Sequence, residues 1–197
     1  NEYLNFLSEN KATNTSINFN FSFGSNYFFE IAKIRAFNHL WKVLCEEYDI
    51  KIDTHIFSRP TLRNKTLYDY NTNMLRSSTE CMSAIIAGSD TISNLSYDHI
   101  YHKKNEFGER ISRNQLLILK EESYFKNAND FADGTYYIES LTKEVAEKAL
   151  AILKDIEKGG GFLKQLKEGV IQRKIKEAAD KEQAQFDSGE LILLGTN

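Results

Sequence analysis

The chain has 197 residues, 41% of them hydrophobic, and carries 25 Lys and Arg against 28 Asp and Glu for a net charge of -3. That is enough apolar material for one large domain or part of a bigger protein, and a pI near 5.9 argues against the basic face of a nucleic-acid binder or a polybasic membrane patch. No run approaches the ~20 apolar residues of a membrane span. Cys45 and Cys81 sit far apart inside apolar helical patterns, which reads as two buried free thiols suited to a reducing cytosol.

Asn1-Glu2-Tyr3-Leu4 shows neither the basic nor the apolar region of a secretory leader and no initiator Met, so the expectation is a fragment or processed product. The N-x-S/T sequons at Asn14, Asn64 and Asn94 read as chance matches. Ser16 to Phe23 alternates Ile17, Phe19, Phe21 and Phe23 with polar residues, which predicts a strand with one apolar face. Gly24-Ser25-Asn26 is a turn and N-cap region before a helix over Tyr27 to Tyr48. Its Ile34, Phe37, Leu40, Trp41 and Leu44 fall at helical spacing on one face. A second strand is predicted over Asp49 to Phe57.

A polar segment, Arg63 to Arg76, then leads into a helix over Asn73 to Ala87, with Met74, Leu75, Met82, Ile85 and Ile86 as apolar positions and Gly88 as its stop. Thr91 to Leu95 reads as a third strand, Tyr97 to Phe107 as a polar loop and Glu109 to Phe125 as a third helix. The order β-α-β-α-β-α predicts an α/β fold with a parallel sheet, open or closed as a barrel. Strand-to-helix turns are where such folds carry chemistry. After Asp130 the pattern changes. Tyr136 to Glu139 packs or extends, Thr142 caps a helix to Lys158, and Gly159-Gly160-Gly161 stops it. A helix over Val170 to Phe186, with Ile171, Ile175 and Ala178 inward, and a short strand over Leu191 to Leu194 close the chain.

Several motifs resemble sites but have plainer readings. Asp53-Thr54-His55-Ile56-Phe57-Ser58 imitates an Asp-x-His-x-x-Gly cobalamin motif, with Ser58 for the glycine; it reads as ordinary strand. Tyr97-Asp98-His99-Ile100-Tyr101-His102 reads as a solvated loop rather than a metal cluster. Lys33, Arg35, Asp69, Arg76, Arg110 and Arg113 read as structural ion-pair formers. Glu121-Glu122 and Lys143-Glu144 read as solvated faces. Gly159-Gly160-Gly161 follows a helix, not a strand, so it is no phosphate loop.

An ordered set of segments resembles the methylmalonyl-CoA mutase family, adenosylcobalamin-dependent carbon-skeleton mutases. The segments are Phe29 to Ala36, Asp69 to Arg76, Arg110 to Gln115 with Glu121-Glu122, Gly134 to Thr142, Ile156 to Gly160, Asp187-Ser188-Gly189 and Gly195-Thr196-Asn197. The resemblance implies a (β/α)8 barrel that takes acyl-CoA through its centre, with cobalamin on a separate flavodoxin-like domain. On this reading residues 1–130 are the last β-α units, about three, of the barrel, and residues 131–197 are a C-terminal helical extension.

The resemblance also bears on catalysis. Where catalytic chains carry Arg-x-Ser-Phe-Phe, this chain has Ser16-Ile17-Asn18-Phe19-Asn20, and serine lacks the guanidinium fork that grips an anion. Where they carry Arg-Thr-His-Ser-Gln, it has His55-Ile56-Phe57-Ser58-Arg59, so the histidine is Phe57 and the glutamine Arg59. On the third strand, an Asn and a Glu are replaced by Leu95 and His99. Asn64 to Asp69 instead resembles the small, non-catalytic subunit of two-subunit bacterial mutases. The resemblance therefore implies no catalytic, cofactor-binding or metal-ligating residues here. Adenosylcobalamin would sit on a catalytic large subunit as partner, in the cytoplasm, with no nucleic acid and no membrane. A divergent mutase in which Arg59 or His99 binds a different acid stays open, as does a repurposed binding protein.

Overall fold

In a computed structural model, which describes residues 2–10, 15–103, 105–127 and 130–197, three parallel strands lie side by side in chain order. The sequon at Asn14 lies outside the described residues. The strands are β1 (Thr15–Phe23), β2 (Ile52–Pro60) and the two-residue β3 (Thr91–Ile92). Helix α1 (Glu2–Glu9) precedes them, α2 (Tyr27–Glu47) and α3 (Thr72–Ile86) connect them, and α4 (Glu106–Leu117) follows. Then come α5 (Tyr136–Lys158), α6 (Phe162–Lys167) and α7 (Val170–Asp187). Strands adjacent in sequence and in space, joined by helices, form the wall of a partial (β/α) barrel, with the last three helices as its extension.

The register decides which side chains meet the helices. β1 and β2 pair in step from Thr15↔Ile52 to Phe23↔Pro60. On one face Phe19 and Phe21 stack edge-on against Phe37 of α2, and the Trp41 indole donates to the Thr54 hydroxyl at 2.9 Å. Phe23, Ile31, Ile34, Ile56, Ala84 and Ala87 form the buried core beneath. Each large side chain buried there contributes on the order of 2 kcal/mol. Because side chains alternate across a pleat, Ser16, Asn18, Asn20 and Ser22 of β1 lie on the opposite face, beside Asp53, His55, Phe57 and Arg59 of β2. That face is the barrel side of the sheet.

Several boundaries differ from expectation. β2 runs on through Arg59 to Pro60, because its pairing with β1 continues to Phe23. Only Thr91 and Ile92 pair as β3; beside them, Asp90 supplies its side chain to the seam, the Ile56 amide donating to the Asp90 carboxylate at 2.7 Å. α5 begins at Tyr136, six residues before Thr142, since the Gly134 turn and Thr135 start it and Glu139 accepts from the Gly134 amide. Tyr136 and Tyr137 are thus first-turn residues and exposed. The third helix ends at Leu117 and runs into a π-helical turn, Ile118–Glu122. Leu191 to Leu194 is no strand; the Leu191 amide donates back to the Gln185 carbonyl of α7 and the Leu193 amide to the Asn197 side chain.

The expected ion pairs are partly present. Lys33 pairs with Glu30, and Arg35 ties α2 to the start of α5 through Asp133 at 2.5 Å and Glu139 at 2.7 Å. Arg110 lies over the Phe107 ring instead. Arg76 reaches Thr72, Asn73 and the Leu194 carbonyl rather than making an ion pair with Asp69.

Candidate functional site

The carboxyl ends of β1 and β2 open onto the segment from Thr61 to Asn71, and what holds that segment is a polar layer rather than an apolar one. The fully buried positions of α3 are Asn73, Ser77, Glu80, Cys81, Ser83 and Ala84. Asn73, Ser77, Glu80 and Ala84 sit four, three and four residues apart, one helical face. The expected apolar positions are displaced from that face, and Leu75 is 69% exposed.

Glu80 and Asn73 take partners reaching down from the loop, while Ser77 and Ser83 donate to the Met74 and Glu80 carbonyls of the helix itself. The Lys65 ammonium lies 2.9 and 2.8 Å from the two Glu80 oxygens, and the Asn64 amide donates to Glu80 at 2.6 Å. The two side chains are 5% and 1% exposed. Burial pushes the Glu80 carboxyl up and the Lys65 ammonium down, each partly offset by the other's charge. Asn73 behaves as a third backbone strand. Its carbonyl accepts from the Thr66 amide at 3.0 Å, and its NH2 donates to the carbonyls of Thr66 and Tyr97 at 2.9 and 3.0 Å. Gln115 of α4 donates to the Met74 carbonyl and to Ser78, and accepts from Asn94 at 2.9 Å. The network therefore binds the loops after β2 and β3 to α3 and α4.

Cys81 lies inside this layer, and burial pushes its thiol up to about 12. A thiol held protonated is a poor nucleophile. Alkylation of the native protein is expected to reach the half-buried Cys45 first, with Cys81 modified only on unfolding, as read by mass spectrometry under native and denaturing conditions.

The loop after β3 is ordered by Asp98, which is 1% exposed. Its Oδ2 accepts from Asn105 at 2.5 Å and bonds the His102 ring at 2.9 Å. Burial pushes the Asp98 carboxyl up, but these bonds outweigh it and hold it below the ordinary value. A depressed native value adds stability above the ordinary carboxylate value, about pH 3.9, that is lost as pH falls through the native one. Asn105→Ala is thus expected to be less stable at about pH 7, with the gap narrowing toward about pH 3, as checked by thermal melts across pH. Gly108 sits against the same carboxylate; a Cβ there would fall 2.6 Å from Asp98 Oδ1.

The motifs weighed on sequence fall in separate places. Asp53 and His55 lie mid-strand on β2, and the His55 ring is 3.0 Å from the Thr91 hydroxyl. His99 is exposed on the loop, Leu95 half-buried, Arg59 exposed at the end of β2 and Phe57 half-buried behind it. Among the described residues no group of three or more His, Cys, Asp or Glu is placed to hold a metal, and no helix is long and apolar enough to cross a membrane. Asn73, Glu80 and Gln115 were missed as a site-building layer; the signal available was the polar helical spacing of Asn73, Ser77 and Glu80.

The family profile described as Methylmalonyl-CoA mutase matches residues 8–197. The chain belongs to this family. It is 41% identical over 186 residues to a protein named methylmalonyl-CoA mutase small subunit from Porphyromonas gingivalis, covering 92% of this chain and 30% of that one. It is 35% identical over 188 residues to a methylmalonyl-CoA mutase of Rhizobium meliloti, covering 92% and 26%. A probable mitochondrial methylmalonyl-CoA mutase of Caenorhabditis elegans is 35% identical over 186 residues, covering 92% and 25%. The chain thus spans between a quarter and a third of the length of these mutase relatives.

Proposed function

We propose that the chain is the C-terminal barrel part of a non-catalytic small subunit of methylmalonyl-CoA mutase, supporting a catalytic large subunit that interconverts methylmalonyl-CoA and succinyl-CoA. Residues 1–130 would supply the last barrel units and residues 131–197 the helical extension, in a cytoplasmic heterodimer. The observation that carries this reading is the barrel-side chemistry of β2. The resemblance sets Phe57 and Arg59 where catalytic chains carry His and Gln, and across the sheet their register partners are Asn20 and Ser22. A benzyl group cannot make the hydrogen bonds of an imidazole.

Adenosylcobalamin does not fit the residues present. The only Asp-x-His sequence, Asp53-Thr54-His55, lies within the paired strand β2, and the His55 ring bonds the Thr91 hydroxyl through Nε2 rather than forming the carboxylate–imidazole pair that orients a lower cobalt ligand. The cofactor belongs, on this reading, to the large subunit. Co-purification from the native host tests it: a cobalamin-carrying mutase subunit is expected to come along. Its absence, or full activity and stability of the catalytic subunit alone, would refute the reading.

One observation favours a second reading, a divergent mutase. Arg59 is exposed at the end of β2, and among the described residues its guanidinium has no ion-pair partner. Such a group can grip a carboxylate. Calorimetric binding of an acyl-CoA to the full-length protein, lost in Arg59→Ala, would favour this over the first.

A further inference from the structure

Helix α7 differs from the other long helices: none of its 18 residues is buried, whereas α2 buries Ile31, Ala32, Ile34 and Ala36 and α5 buries Ile138, Leu141 and Ala146. Both ends of this loosely held helix are nevertheless anchored. Before it, Gln165 is buried and donates to the carbonyls of Ile156 and Asp155 at 2.8 and 3.4 Å. After it, the C-terminal tail is latched to the loop between β2 and α3. Thr66 donates to the Gly195 carbonyl at 3.2 Å and accepts from the Thr196 hydroxyl at 2.6 Å, and Arg76 donates to the Leu194 carbonyl. The approach is close enough that a Cβ on Gly195 would fall 2.7 Å from Asp69 Cβ.

Between these anchors α7 spans a groove of about 1110 Å³ at the carboxyl ends of β1 and β2, walled by Ser25, Arg63 and Asn64 on one side and by Ile175, Glu182 and Phe186 on the other. Among the described residues one ion pair crosses it, Arg63 to Glu182, with side chains 70% and 42% exposed. Gly169 and Gly189 flank the helix, both in the left-handed conformation at φ +76, so the chain can turn at either end without steric cost.

We propose that α7 is a hinged strap over the mouth of the strands, fixed at Gln165 and at the Thr66–Thr196 latch, which lifts from the groove when the Arg63–Glu182 pair breaks. Few buried contacts oppose the motion, and a segment held that way opens at the low end of the stability range. Glu182 is the internal carboxylate on Arg63, so closure weakens as salt screens the pair. Lifting leaves the Arg63 guanidinium, already 70% exposed, without its carboxylate partner beside the groove. The inference concerns the mobility of this element and stands whether or not the chain works as a small subunit.

Hydrogen exchange by mass spectrometry on the full-length protein tests it. Peptides from α7 are expected to exchange well before the Ile138–Ala146 stretch of α5. Glu182→Gln is expected to speed α7 about threefold and leave α5 unchanged. About 0.5 M NaCl is expected to speed wild-type α7 similarly and have no further effect on Glu182→Gln. Thr66→Val is expected to speed the tail. Protection of α7 equal to that of α5, or exchange in α7 indifferent to both Glu182→Gln and salt, would overturn the proposal.

Discussion

Lys65→Met alone is expected to destabilise the protein by about 3–5 kcal/mol, while Lys65→Met combined with Glu80→Leu is expected to cost far less or to stabilise. The single change leaves a carboxylate that is 1% exposed without its ammonium, and burying an unpaired charge costs more than the pair ever contributed. The Asn64 amide remains on Glu80, which softens the loss but cannot replace a full charge. The double variant removes both desolvation costs and fills the space with carbon. At roughly 2–4 °C per kcal/mol for a chain of this size, the single variant melts roughly 10 °C below wild type and the double variant close to it. Thermal melts of the three proteins check this, and equal losses in both variants would contradict it.

Asn73→Ala is expected to cost about 3 kcal/mol or more. The lost amide satisfies three backbone groups, the N–H and C=O of Thr66 and the C=O of Tyr97, and each orphaned buried group costs about 1–3 kcal/mol. An apolar residue of similar volume is expected to do no better, because the cost lies in the backbone left behind rather than in the cavity. Denaturant unfolding measures the loss. Faster exchange at Thr66 and Tyr97, with the Ile138–Ala146 stretch unchanged, would place it in the loop anchor.

The parts of the fold that could be read from sequence are those set by local chemistry. β1 is legible because Ile17, Phe19, Phe21 and Phe23 alternate without interruption, and α2 because Asn26 caps it and accepts from the Phe29 amide. β3 was overread because apolar residues at Ile92 and Leu95 look strand-like, whereas pairing stops after two residues. α5 was underread at its start because aromatic Tyr136 and Tyr137 suggest a strand, whereas both are exposed. The polar layer is only half legible, because its helical spacing stands in the sequence and its partners do not. A helix face of Asn73, Ser77 and Glu80 looks solvent-facing until its partners are known. Those partners, Lys65, Thr66 and Gln115, come from other segments and complete it only in three dimensions.

The Asp90 carboxylate, which takes the Ile56 amide, couples the sheet to the helix that precedes it. A seam of two paired residues is too short to hold its own register, and a slip by one residue would turn every side chain of a strand to the wrong face. Asp90 supplies the missing constraint, but it reaches Ile56 only when the end of α3 has delivered it there, through the turn in which Ser89 donates to the Ala84 carbonyl and its hydroxyl meets Ser58 at 2.7 Å. The register of the second strand on the third is therefore coupled to the last turn of the helix between them. A mutation that frays that turn is expected to loosen the seam as well as the helix.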